Sequence, residues 1–176
     1  MRSVLPLLLP VALLAQPGQA QDMSALPDPV PLLKSAEIAA RLDGAIVTCL
    51  HGTTDPARAE AAFAAAGWTP DDADSEGAIG FEGPDVTVMF WDATEPGFCM
   101  IESGAIGTKA LEARLTRVLG QGKWFAIDLI EQDGCPAVDL DFVNGVQIIA
   151  TPSSAGNDPD CSAADSAALR FTAVRE

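Results

Sequence analysis

Cys49, Cys99, Cys135 and Cys161 are the four cysteines of the chain, and the residues ahead of them decide what they can become. The sequence opens MRSVLPLLLPVALLAQPGQA. Arg2 precedes the apolar run Val4–Ala15, and small residues Gly18 and Ala20 then sit at −3 and −1 of a cleavage point between Ala20 and Gln21. This is the pattern of a secretory signal peptide, and its apolar run is too short and too broken by Pro6 and Pro10 to span a bilayer. The reading predicts export to the periplasm or beyond, release of residues 21–176, and no membrane insertion after cleavage. In an oxidising compartment four cysteines predict two disulfides. Their spacing is wide and contains no C-x-x-C, which disfavours zinc. The pairing Cys49–Cys99 and Cys135–Cys161 gives each half of the chain its own staple, each worth on the order of 3–4 kcal/mol in the loop-entropy picture.

Apolar spacing gives the remaining architecture. A proline-rich stretch, residues 21–31, has no periodicity and reads as an extended arm, leaving 32–176 as a single domain. Ile38, Leu42, Ile46, Cys49 and Leu50 lie on one helical face that Gly52 ends. A second helix is capped by Asp55, starts with Pro56 and stops at Gly67. Three strand-like runs follow, at 78–82, 86–92 and 98–103. Thr108 then opens a third helix with Leu111, Leu115, Val118 and Leu119 as its stripe. Strands at 124–131, 137–143, 146–151 and 167–174 complete the order, with Asn144-Gly145 as a hairpin turn. The expected class is α+β: an antiparallel sheet with helices packed on one face, suggesting two αβββ units.

A two-residue turn at Asn144-Gly145 pairs Leu140 with Ile149 and Asp141 with Ile148. Val138, Leu140, Phe142 and Ile149 then face the core. Asp139 and Asp141 face outward with Ile148 and Ala150. Together with Asp128, these carboxylates are the candidates for an enzyme that works with carboxylates alone, provided a deep pocket holds them.

Other chemistry lacks its residues. No G-x-S-x-G, P-loop or H-E-x-x-H occurs, and His51 is the only histidine. Cys49 and His51, two apart on a helix, point away from each other, which excludes a Cys–His couple. His51 reads as a capping or surface group, and no catalytic residue is assigned.

The charge is more informative. The formal balance is −15, and residues 53–103 hold eleven Asp or Glu against one basic residue, Arg58. Such a field repels nucleic acid and suits a basic protein or small cationic ligand. Asp72, Asp74 and Glu76, followed by Gly77, reproduce the opening of an EF-hand loop, so weak calcium binding through 72–77 is an alternative. Position 12 of that loop is Gly83 and not Glu, and the residues after Gly77 read as a strand. In the 86–92 run both faces are apolar. If Met89 and Trp91 are uncovered, they are candidate binding residues, with the acids steering a basic partner. The sequence therefore points first to an exported, non-catalytic binding or inhibitor-like domain.

Overall fold

The computed structural model describes residues 23–53, 55–71, 78–91, 97–122, 127–143, 146–156 and 160–174. The signal-peptide reading, the 72–77 loop and the Asn144-Gly145 turn lie outside the described residues, as do the side chains of Trp91 and Asp141.

The fold is α+β. Eight antiparallel strands form one sheet in the order β1-β2-β3-β4-β8-β7-β6-β5. They are β1 (Thr69–Asp71), β2 (Ala78–Gly83), β3 (Val86–Trp91), β4 (Phe98–Ser103), β5 (Asp128–Gln132), β6 (Cys135–Val143), β7 (Val146–Ser153) and β8 (Ala167–Val174). The helices are α1 (Pro29–Leu33), α2 (Ile38–Gly52), α3 (Pro56–Ala66) and α4 (Thr108–Leu119). Each half is thus a helix followed by a four-stranded meander, one strand more than the expected αβββ. The two meanders join where β4 pairs with β8. The extra strand of the first half is β1, a three-residue edge strand that tolerates Pro70 because an edge needs no donor there.

The proline-rich stretch is not an extended arm. Met23–Ala25 form a 3₁₀ turn and Pro29–Leu33 a short helix. Asp28 accepts a hydrogen bond from Val30 N at 3.0 Å, and Pro29 supplies the fixed φ of a first turn. The Trp68 indole then donates to Leu33 O at 3.2 Å, fixing this segment to the domain.

α2 is the central helix. Every residue from Arg41 to Gly52 is buried, a wider burial than the single stripe expected from its spacing. Gly44 lets α1 approach closely, because a Cβ there would lie 2.8 Å from Leu33 N. Arg41, buried within this helix, donates through Nη1 to Ser35 O and Ala36 O, through Nε to Pro84 O, and through Nη2 to Asp85 at 3.2 Å. Asp55 caps α3 through Arg58 N, and Gly67 ends it at φ 79°. On α4 the cap is Gly107, and Thr108 is the first helical residue.

Both disulfides pair as expected, Cys49 with Cys99 and Cys135 with Cys161. Cys49–Cys99 bolts α2 to β4 inside the core. Alternate strand residues point toward the helices: Val86, Val88 and Phe90; Cys99 and Ile101; Leu169, Phe171 and Ala173. Phe63 of α3 sits 5.1 Å from both Trp68 and Phe81, centroid to centroid.

One register differs from expectation. Phe142 pairs with Gln147 and Val143 with Val146, as the turn predicts, but Asp139 and not Leu140 faces Ile149. A bulge between Asp139 and Phe142 takes up one residue. Ile148 and Ala150 therefore enter the core, and Ile149 turns to the opposite face, half-buried, the reverse of the expected assignment.

Candidate functional site

Because the core takes one set of alternate residues, the other set forms a second sheet face, and among the described residues no helix packs on it. Directly paired residues share a face, so the registers define its rows. One row crosses six strands: Asp71, Gly80, Met89, Met100, Arg170 and Thr151. A second holds Glu82, Thr87, Glu102, Ala168 and Ser153. A third holds Phe98, Thr172, Ile149, Asp139 and Asp128.

The centre of this face is apolar, with Met89, Met100, Phe98 and Ile149 partly buried by their neighbours. Its β1–β4 side is acidic, through Asp71, Glu82 and Glu102. Over Gly80, which offers no side chain, a recess of about 150 Å³ opens between Asp71, Thr87, Met89, Met100 and Glu102. Beside it a groove of about 370 Å³ is bordered by Glu82, Asp85, Glu102 and Ser103. Asp85 sits at φ 60° in the β2–β3 turn, held by Arg41 and by the Ser103 hydroxyl donating to its carbonyl at 2.7 Å.

Arg170 was not among the sequence candidates. It stands in a central strand with its guanidinium 5.7 Å from the centre of the Phe98 ring. Its Nε is buried and, among the described residues, has no hydrogen-bond partner. The signal that could have found it is a lone charge inside the otherwise apolar strand AALRFTAV.

The other candidates separate. Met89 lies on the helix-free face. Trp91 ends the same strand, paired with Ala78, its side chain outside the described residues. Asp72, Asp74 and Glu76 also lie outside the described residues. Their flanks, β1 and β2, pair as antiparallel strands, whereas an EF-hand loop is flanked by helices. The segment thus connects two strands. No cluster of metal-ligating residues occurs among the described residues.

Asp128 and Asp139 face each other across β5 and β6, yet Asp128 is exposed and Asp139 accepts from Gln147 Nε2 at 2.6 Å. Neither lines any of the grooves named here, so the deep carboxylate pocket that the enzyme reading requires is not formed by this pair.

His51 is buried in the last turn of α2 and is not a surface group. Burial, reinforced by Arg58 and opposed by Asp55, lowers its pKa from 6.5 to about 4, so it is neutral at physiological pH. A larger groove, about 590 Å³, lies between Leu33, Lys34, Trp68, Glu82 and Pro84, with Arg41 in its wall. The Arg41 donors are engaged by backbone carbonyls and Asp85, which makes Arg41 a structural tie between helix and sheet.

No described helix is long and apolar enough to cross a membrane, and the two disulfides are compatible with an oxidising compartment. The chain matches no family model, no curated protein and no solved structure.

Proposed function

We propose that this chain is an exported, non-catalytic binding module, of inhibitor or accessory-subunit type, that receives a basic protein partner on the helix-free face of its sheet. The observation that carries the reading is the row Asp71, Gly80, Met89, Met100, Arg170 and Thr151: methionines at its centre, with Asp71 at one end and Glu82 and Glu102 in the neighbouring row. Paired methionines adapt to partners of different shape, since the thioether chain is flexible and polarisable. The acids raise the encounter rate of a cationic partner and discourage an anionic one. The leader-like N-terminus and the two disulfides support periplasmic or extracellular residence.

The test is affinity capture from the exported fraction with the wild-type chain and with Met100→Asp, using Glu112→Gln on the exposed side of α4 as the control. A partner that is retained by the wild type and the control, lost with Met100→Asp and weakened by salt supports the reading. Equal capture by Met100→Asp overturns it.

A further inference from the structure

The two ends of the sheet are built differently. β1 closes one end with three residues and Pro70, a length and a residue that discourage further pairing. β5 closes the other with five residues, no proline and no lysine, and among the described residues nothing pairs with its outer side. An edge of that kind is a template for one more strand.

Leu129 marks the same edge. It pairs with Val138, which packs against the core, so it points to the helix side of the sheet. On that side α4 packs over β7 and β8, and Leu129, two strands beyond β7, is left 86% exposed. Ile127, just before the strand, is 40% exposed. With Leu119, Gly120 and Val138 they line a groove of about 430 Å³ between the end of α4 and the sheet edge.

The charge of this end selects the occupant. Residues 127–143, the β5–β6 hairpin with its entry, hold five acids and no base. Asp128 and Glu131 are exposed on β5 itself, on opposite faces of the sheet, with Leu129 and Ile130 between them. Like charges destabilise a strand pair and opposite charges support it. A second copy of this chain would bring the same acids to the edge, whereas a basic strand complements them.

We propose that the β5 edge receives an extended, basic segment of another protein as a ninth strand, with an apolar side chain seated in the groove beside Leu129. Paired antiparallel, the segment carries a lysine or arginine opposite Asp128 and another opposite Glu131. An apolar residue stands opposite Leu129 and a β-branched one opposite Ile130. The peptide TKVLKI, read against Gln132 back to Ile127, has that order. This edge is separate from the helix-free face, and the proposal does not rest on the reading of that face.

The experiment titrates N-acetylated, C-terminally amidated TKVLKI into the wild-type chain by calorimetry and follows backbone amide exchange. Three further peptides are compared: TEVLEI, and TKVLKI N-methylated at its valine or at its leucine. Successive N–H groups of a strand point to opposite sides, so only one of the two methyl groups falls on the side that pairs with β5. TKVLKI should bind and slow amide exchange within residues 128–132, and one methylated form should lose binding while the other keeps it. TEVLEI should bind at least roughly tenfold more weakly. Leu129→Ser, at an exposed position, should weaken TKVLKI roughly tenfold through the lost apolar contact. Absence of TKVLKI binding, equal effects of the two methyl groups, or unchanged exchange at 128–132 overturns the proposal. Chemical shifts confined to Met89 and Met100 would assign the peptide to the helix-free face and overturn strand addition. A wild-type dimer in sedimentation that Leu129→Ser converts to a monomer would assign the edge to a second copy and overturn it equally.

Discussion

Asp43 of α2 and Arg114 of α4 form a two-pronged ion pair, Nε to Oδ1 at 2.7 Å and Nη2 to Oδ2, and this pair fixes the helix of one half of the sheet against the helix of the other. Asp43 is only 6% exposed, and Arg117 adds a second positive charge 3.8 Å from Oδ2. Asp43→Ala leaves Arg114 without its partner and should cost about 3 kcal/mol, whereas Asp43→Leu with Arg114→Met should recover more than half of that loss. Urea unfolding of the single and double variants measures both. Equal losses would show that packing, and not the uncompensated charge, dominates there.

Gly97 and Gly104 flank β4 and should respond in opposite ways to alanine. A Cβ on Gly97 would sit 2.2 Å from Thr53 O, a backbone atom that cannot swing aside, and the Gly97 carbonyl already accepts from Ala173 N at 2.7 Å. Gly97→Ala should cost about 2–3 kcal/mol. At Gly104 an added Cβ meets nothing within 4 Å, so Gly104→Ala should stay within about 0.5 kcal/mol of the wild type. Thermal unfolding of the two variants side by side reads the difference.

Acid sensitivity follows from His51. Its folded pKa, about 4, lies below the ordinary 6.5. Between those values the unfolded chain holds a proton that the folded chain does not. Stability from this group is therefore complete above pH 6.5, falls as pH drops toward 4, and levels off below. After allowance for solvent screening, the loss should be about 1–2 kcal/mol. His51→Gln should flatten this part of the stability–pH curve. An unchanged slope in the variant would assign the acid sensitivity to carboxylates instead.

The two disulfides close loops of different length, 50 and 26 residues in sequence separation. On the chain-entropy model they stabilise by about 4 and about 3.5 kcal/mol. Replacing Cys49 and Cys99 by alanine also removes buried contacts between α2 and β4. That pair should therefore cost more than Cys135 and Cys161, for which Cys161 is partly exposed. Denaturant midpoints of the two double variants give the order, and the reverse order would contradict the central place of the Cys49–Cys99 bolt.

Much of this fold is legible in the sequence because it rests on local rules. Asp55, Pro56 and Gly67 delimit α3 as capping chemistry requires, and alternation in VTVMFW and FCMIES marks two strands. What escaped depends on partners far away in sequence. β1 contains a proline and is a strand only because β2 pairs with it. The 23–33 segment is helical where Asp28 caps it and Trp68 holds its end. The bulge in β6 reverses Ile148 and Ile149, and no pattern within either strand announces it. The helix-free face divides in the same way. Met89 was legible from alternation, whereas Arg170 acquires its meaning from Met100 and Thr151 on strands that the topology sets beside it.

Methyl NMR of the protein labelled at methionine, titrated with an N-acetylated, C-terminally amidated peptide of one lysine followed by alternating leucines and alanines, tests the helix-free face most directly. The Met89 and Met100 methyl signals should shift together and saturate, with the shifts shrinking as salt rises, while Met23, 9% exposed and packed in the core, stays in place. Unmoved Met89 and Met100 signals, or a response at Met23 alone, would contradict a binding role for this face.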